Sequence, residues 1–318
     1  MEVLALEPFY LMKVIIAPSS FGEADSTPLR LLESAGLEVI PNPVGRRWTE
    51  AEAVEFLVGV DGLIAGLEPL NRRVLASTKG QLKALARVGI GMTNVDQTAA
   101  GELGIKVSST PGAPSDAVAE MTITTMLALL RELVPMNSAL HAGEWKKNLG
   151  RSVREIKLLL VGYGRIGRTV ARLAKLLGAT IHVFDPFTPA LSDGIVDCWH
   201  TSLGAGLVCA DVVSLHASGD KPILSAAEFA VLKPGAILLN SARGELVEEE
   251  ALVAALEQGI VGKAWFDAFW VEPYKGALTR FPQVLLTPHA ATYTRWCRLH
   301  METEAARNLI RDLGLLCA

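Results

Sequence analysis

The apolar run Lys157-Leu158-Leu159-Leu160-Val161 leads directly into Gly162-Tyr163-Gly164-Arg165-Ile166-Gly167. A helix-periodic stretch follows to Leu177 and is stopped by Gly178, and a second run, Thr180 to Phe184, ends on Asp185. Strand, tight glycine turn, helix and second strand in that order leave little choice beyond a βαβ unit with parallel strands. A chain with 28 glycines produces a lone G-x-G-x-x-G by accident. The ordered context, with an acid eighteen positions after Gly167, makes this one informative.

Each residue of the motif has its own physical task. Gly162 permits the tight turn, Gly164 lets backbone approach a pyrophosphate, and Gly167 allows helix and strand to pack closely. Phosphates would lie over the helix N-terminus that Arg165 and Ile166 open, so Gly162, Gly164, Arg165, Ile166 and Gly167 form the expected cofactor loop. Asp185 would accept hydrogen bonds from the adenosine ribose. Its charge repels a 2′-phosphate, and Pro186-Phe187 supplies no arginine to bind one, so NAD is expected rather than NADP.

The same alternation of short apolar segments and helical patterns extends along the rest of the chain, which predicts an α/β fold with parallel sheets. Val14–Ala17, Leu37–Ile40, Gly62–Ala65, Leu85–Val88 and Lys106–Ser108 read as strands of a first sheet. Pro28–Ala35 and Thr49–Phe56 read as helices between them. Ser115 and Asp116 then open one long apolar-periodic helix through about Val134, near a domain boundary. A length of 318 residues suits two domains.

Hydrophobic residues at 50% and charged residues at 20% give a globular balance with a generous interior. The net charge of -4 comes from acids and bases spread along the chain, with no basic stripe or polybasic run, so neither nucleic acid nor a membrane is expected as a partner. Cysteines 198, 209, 297 and 317 form no C-x-x-C pair and have no histidine at zinc-ligand spacing, so neither a metal site nor a disulfide framework is expected. A reducing cytoplasm is the simplest compartment. Residues 1–11 lack the basic start and apolar core of a secretion signal and read as an extension.

Three polar residues each follow a segment that reads as a buried strand: Arg243 in Asn240-Ser241-Ala242-Arg243-Gly244, Glu272 before Pro273, and His289 after Thr287-Pro288. Ligands of an open parallel sheet bind beyond the carboxyl ends of its strands, so the three are expected to converge there. A cation can hold an acid substrate, an imidazole can move a proton, and a carboxylate can keep that imidazole basic. Singly, each could be a loop arginine, a turn acid or a core histidine. Their joint order after strands favours hydride transfer to a carbonyl, with Arg243, Glu272 and His289 as the catalytic set.

The chain also resembles the D-isomer-specific 2-hydroxyacid dehydrogenase family, whose members include the phosphoglycerate dehydrogenases. The resemblance rests on Ala86-Arg87-Val88-Gly89-Ile90-Gly91, Gly162 to Gly167, Lys233-Pro234-Gly235, Asn240 to Gly244, Asp267 through Glu272-Pro273, and Thr287-Pro288-His289, in family order from Met12 onward. It implies two Rossmann-like doubly wound domains, a cofactor domain of residues 113–290 inserted into a substrate domain of residues 12–112 and 291–318. It further implies that Arg243 grips the carboxylate and keto oxygen and that His289, held by Glu272, exchanges the proton at that oxygen. Arg87, Val88 and Gly89 would bind substrate from the other domain, Val88 and Gly89 through their backbone. Asp267 would sit near the nicotinamide amide, and Ala217, Ser218 and Ala242 would line the cofactor's path.

For the substrate, a small 2-hydroxy or 2-keto acid, the resemblance names 3-phosphoglycerate first, through Arg87 and Arg131. Glyoxylate, hydroxypyruvate or another short keto acid is the alternative. Gly66 and Pro69 stand where phosphoglycerate-specific members usually carry bases, and Glu68 would repel a phosphate if it faced the site. The chain ends soon after the returning helix, so no regulatory C-terminal domain is expected. A homodimer formed through the helix from Ser115 and the arm around Trp145 is implied as well. The same fold also serves NAD(H)-sensing corepressors, against which stand the intact arginine, glutamate and histidine.

Overall fold

The computed structural model describes residues 11–188 and 194–315. The extension expected over residues 1–11 therefore lies, apart from Leu11, outside the described residues. The chain divides into two compact units, Met1–Pro114 with Tyr293–Ala318, and Ser115–Thr292.

In the first unit the strands are β1 (Lys13–Ile16), β2 (Glu38–Ile40), β3 (Gly62–Ala65), β4 (Ala84–Arg87) and β5 (Lys106–Ser109). They form one sheet in the order β2-β1-β3-β4-β5, with every pair parallel. Between them run α1 (Thr27–Ser34), α2 (Glu50–Phe56), α3 (Arg72–Ser77) and α4 (Gln97–Glu102). Parallel sheets are buried on both faces, and here Ile15, Leu63 and Leu85 enter one apolar cluster. The space on the opposite face, at Gly62, is filled by Val14, Leu309 and Leu313.

Ser115–Thr292 contains most of α5 (Pro114–Leu130), α6 (Leu133–His141) and the strands β6 (Lys157–Val161), β7 (Thr180–Phe184), β8 (Cys198–Trp199), β9 (Val212–Leu215), β10 (Ala236–Asn240), β11 (Val261–Phe266) and β12 (Val284–Leu286). Their order is β12-β11-β10-β9-β6-β7-β8. The connecting helices are α7 (Arg165–Leu176), α8 (Leu203–Cys209), α9 (Ala226–Ala230) and α10 (Glu249–Glu257), and α11 (Arg295–Asp312) returns the chain to the first unit. Leu159 and Val161 point into one cluster, Leu158 and Leu160 into the other. That two-sided burial is why β6 reads as an unbroken apolar run.

The single helix expected from Ser115 to about Val134 is two helices. Glu132 adopts a left-handed backbone, φ 55°, between α5 and α6. Pro135 lacks an N–H for the Arg131 carbonyl and its ring would crowd that group, so a continuous helix is excluded; in the first turn of a new helix a proline costs little. Lys263 secures the break, its Nζ donating to the Leu129 carbonyl at 2.9 Å and pairing with the Glu132 carboxylate.

Candidate active site

The chain winds outward from β6 to β7 and β8 and then crosses to β9 on the other side of β6. Such a switch point is where an open α/β sheet offers its ligand site. Gly162 follows β6 with φ 98°, and a Cβ there would lie 2.7 Å from the backbone of His216 and Ala217. A Cβ on Gly167 would lie 2.3 Å from the Gly162 carbonyl oxygen. Both glycines are therefore demanded by the packing of the turn itself. Gly164, the N-cap of α7, is different: a Cβ on it would meet nothing within 4 Å. The backbone there is open to a ligand, which is what an approaching pyrophosphate requires.

Arg165 is exposed at the first position of α7, whereas Ile166 packs on the core. Ala217 and Ser218 follow β9, the first half-buried and the second exposed. Asp185, at the end of β7, accepts from the N–H of Tyr163 at 2.7 Å, Phe187 at 2.8 Å and Thr188 at 3.0 Å, and from the Thr188 hydroxyl at 3.0 Å. Burial alone raises this carboxyl's pKa; the backbone donors from Tyr163 and Phe187 and the Thr188 contacts outweigh it and hold the group below its usual value. Asp185 is thus a fixed anion that also ties the glycine turn to the loop after β7. A ribose hydroxyl would share or replace one of these four bonds.

His216 lies directly under the glycine turn. Its Nε2 is 2.9 Å from the Ser214 hydroxyl, and Nδ1 is shut from solvent without a hydrogen-bond partner among the described residues. Burial pushes its pKa down to about 4, so the ring is neutral near pH 7.

The other end of the site is built on β10, β11 and β12, which are neighbours in the sheet. Asn240, fully buried at the end of β10, donates from Nδ2 to the Arg243 carbonyl at 2.8 Å and accepts from the Ala242 N–H at 3.0 Å. Asparagine two residues ahead of a turn does this readily, and that spacing is the signal that could have marked it as a positioning residue. One Arg243 N–H donates to the Ala242 carbonyl at 2.6 Å. Gly244 brings this turn against the loop after β11, since a Cβ on it would lie 2.3 Å from the Trp270 nitrogen and 2.4 Å from the Phe269 carbonyl carbon.

That loop carries Glu272. Its Oε1 accepts from the Phe269 N–H at 3.2 Å and lies 2.9 Å from Nδ1 of His289, with Oε2 at 3.1 Å. His289 follows β12 in a left-handed conformation, φ 53°. This turn has a buried support in Asp267, whose Oδ1 accepts from the Thr287 hydroxyl at 2.6 Å and the Ala290 N–H at 2.8 Å, while Oδ2 accepts from the Ala291 N–H at 2.9 Å. Asp267 is 1% exposed. Its bonds run to the backbone that carries His289, so it positions that turn.

In the first unit, the N–H groups of Val88 and Gly89 both have partners. The Val88 N–H donates to the Ala65 carbonyl at 2.9 Å, as a continuation of the sheet ladder, and the Gly89 N–H donates to the Thr110 hydroxyl at 2.7 Å. Both expected carboxylate donors are thus engaged within the fold. Arg87 is 8% exposed, donates to the Val88 carbonyl and folds over Gly89, where an added Cβ would strike its guanidinium. Glu68 is 1% exposed and accepts from the Gly66 N–H at 2.9 Å. Burial raises its pKa, and the Arg87 and Arg47 charges oppose that shift. Arg131 is exposed just after α5.

A parallel α/β unit with an open glycine turn at its switch point, and an imidazole clamped by a carboxylate beyond neighbouring strands, is a dinucleotide-binding protein equipped for acid–base chemistry. The family model described as "D-isomer specific 2-hydroxyacid dehydrogenase, NAD binding domain" matches residues 123–291, more than half of the chain. The chain belongs to that family and carries its NAD-binding domain. It is 34% identical over 273 residues to hydroxypyruvate reductase of Thermotoga maritima, covering 83% of this chain and 88% of that protein. It is also 34% identical over 251 residues to chloroplastic D-3-phosphoglycerate dehydrogenase 3 of Arabidopsis thaliana, covering 77% of this chain and 43% of the relative. The chain spans only about half the length of this and two further phosphoglycerate dehydrogenases. Among solved structures, a glyoxylate reductase from Paecilomyes thermophila superposes with TM-score 0.82 at 28% identity, covering 97% of this chain and 98% of that one.

Proposed function

We propose that this chain is an NAD-dependent oxidoreductase that transfers a hydride between the nicotinamide and C2 of a small D-2-hydroxy acid or its 2-keto acid. The observation that carries this reading is the 2.9 Å contact between Nδ1 of His289 and Glu272. A carboxylate can only accept, so the proton of this contact belongs to Nδ1, and Nε2 is the atom left to exchange a proton with substrate. In the reducing direction protonated Nε2 donates to the keto oxygen; in the oxidising direction neutral Nε2 removes the hydroxyl proton. Arg243 supplies the cation for the substrate carboxylate and for charge developing on that oxygen. NAD, when bound, supplies the hydride acceptor or donor.

The substrate best supported is a short, unphosphorylated keto acid of the glyoxylate or hydroxypyruvate kind. Arg87, the cation expected to anchor a phosphate, is folded onto the Val88 carbonyl and lies within electrostatic reach of buried Glu68. Relatives with those reductase names match along 80% and 88% of their own lengths. The test follows NADH absorbance with glyoxylate, hydroxypyruvate, pyruvate, 2-ketoglutarate and phosphohydroxypyruvate, each repeated with NADPH. Fastest turnover of glyoxylate or hydroxypyruvate with NADH is expected. A preference for phosphohydroxypyruvate would restore Arg87 as a phosphate anchor, and no turnover despite NADH binding would overturn the reading.

A homodimer is part of this proposal. Leu133, Leu140, Trp145 and Leu149 are 53%, 57%, 83% and 99% exposed, and α6 has no buried residue. That apolar strip is the surface a second copy would cover. Light scattering after size exclusion is expected to give twice the chain mass, and a monomer would remove the claim.

A further inference from the structure

The parallel pairing of β7 with β8 sets His182 opposite Cys198, with Val183 opposite Trp199. Sequence spacing gave Cys198 no histidine at zinc-ligand spacing; the sheet sets His182 beside it, and His200 follows two residues on. His200, just past β8, is held by its N–H donating to the Val183 carbonyl at 2.8 Å. Its ring stacks on that of His182 with centroids 5.0 Å apart, and its Nε2 is 2.8 Å from Nδ1 of His182. One donor atom each from His182, Cys198 and His200 lies within 4.8 Å of the others. His182 is 7% exposed, while Cys198 and His200 are half-buried. This trio lies outside the residues assigned above to substrate, proton transfer and NAD.

We propose that His182, Cys198 and His200 form a site for a divalent metal ion of the zinc class, with a fourth position left to water. Two imidazoles and a thiolate are the donors that such a borderline-soft ion prefers. In a tetrahedral zinc site with Zn–N of about 2.0–2.1 Å and Zn–S of about 2.3 Å, the donors are roughly 3.3–3.8 Å apart. The two nitrogens therefore separate slightly from their present hydrogen-bond distance and the sulfur draws in. Among charged neighbours, Asp197 accepts from the Ile181 N–H at 2.7 Å and from Lys175 at 2.6 Å, so its own anion is already committed. The ion would clamp the two-residue edge strand β8 to β7.

The test is a cobalt(II) titration of the purified full chain, reduced and freed of metal. One equivalent is expected to give the thiolate-to-cobalt absorption of a tetrahedral site, bleached by added zinc. Cys198→Ser should abolish that absorption and His200→Ala should weaken affinity by about tenfold or more, while Cys209→Ser leaves it intact. NADH-binding fluorescence of each variant reports that the unit is folded. In the unsubstituted protein, zinc should slow iodoacetamide alkylation of Cys198, read by mass spectrometry, by about tenfold or more and leave Cys209 unchanged; this arm stands even where a variant fails to fold. No tetrahedral cobalt spectrum, a spectrum that persists in Cys198→Ser, or Cys198 alkylation indifferent to zinc would each overturn the proposal.

Discussion

Asn240 holds both sides of the turn that presents Arg243, donating to the Arg243 carbonyl at 2.8 Å and accepting from the Ala242 N–H at 3.0 Å. Removing that side chain leaves two part-buried backbone groups without this partner and lets the cation drift. Asn240→Ala is expected to lower kcat/KM for the keto acid by about tenfold or more, since each tenfold costs about 1.4 kcal/mol and an unpaired buried polar group about 1–3 kcal/mol. NADH affinity should change little. Steady-state kinetics beside NADH fluorescence titration separates the two; equal losses in both would deny a role specific to Arg243.

His289 and Glu272 act on a proton, so their loss should appear in turnover. His289→Ala is expected to lower kcat by about 10²–10⁴ with NADH dissociation nearly unchanged. Glu272→Gln keeps the shape but replaces an anion with an amide, and its loss should be smaller. Single-turnover hydride transfer measured by stopped-flow reads the step directly, and turnover equal to the unsubstituted protein in both variants would refute the assignment.

Gly244 is where two loops touch backbone to backbone. A methyl there would sit 2.3 Å from the Trp270 nitrogen, and main chain cannot rotate out of the way as a side chain can. Because the Phe269 N–H donates to Glu272, pushing that segment away should displace the His289–Glu272 pair. Gly244→Ala is expected to reduce both the thermal midpoint and kcat/KM, the first by several degrees for a loss of about 1–2 kcal/mol. Differential scanning fluorimetry and kinetics on one preparation check it.

Asp185 combines an anion at the ribose end with four protein donors. Asp185→Asn removes the repulsion toward a 2′-phosphate and turns an amide NH₂ toward backbone N–H groups. The ratio of kcat/KM for NADH over NADPH should fall by about tenfold or more, with a stability loss of about 1–3 kcal/mol. An unchanged ratio would remove Asp185 from cofactor discrimination.

His216 is expected to make the fold acid-sensitive. Its pKa falls from 6.5 to about 4 on burial, so below pH 6.5 the unfolded chain takes a proton that the folded chain refuses. The stability it contributes is complete above pH 6.5 and is lost as pH falls toward 4, by up to about 3 kcal/mol at roughly 1.36 kcal/mol per unit. Urea unfolding of wild type and His216→Gln between pH 7 and pH 4.5 should show a flatter acid loss in the variant. Identical slopes would place the titration elsewhere.

Some of this was legible in the sequence because the physics is local. A strand running into Gly162, Gly164 and Gly167 and then a helix has few ways to fold, and apolar runs such as Leu158 to Val161 announce a sheet covered on both faces. Glu272 and His289 could be placed after strands, and the structure puts them in contact. The break at Glu132 was less visible, because apolar periodicity continues across it while Pro135 ends the helix.

Sequence by itself determined the parallel α/β architecture, the glycine turn and the identity of the charged and ionisable groups beyond the strands, since period, turn chemistry and strand polarity act within a few residues. Tertiary structure alone decided which groups find partners. It turned Asp267 toward the Ala290 and Ala291 backbone, engaged the N–H groups of Val88 and Gly89 inside the fold, and brought His182 from one strand to Cys198 on the next and His200 just past it. Hydrogen bonds depend on distances of about 3 Å and metal ligation on about 2 Å between atoms far apart in the chain, and strand register, which no local pattern of those residues encodes, sets those distances.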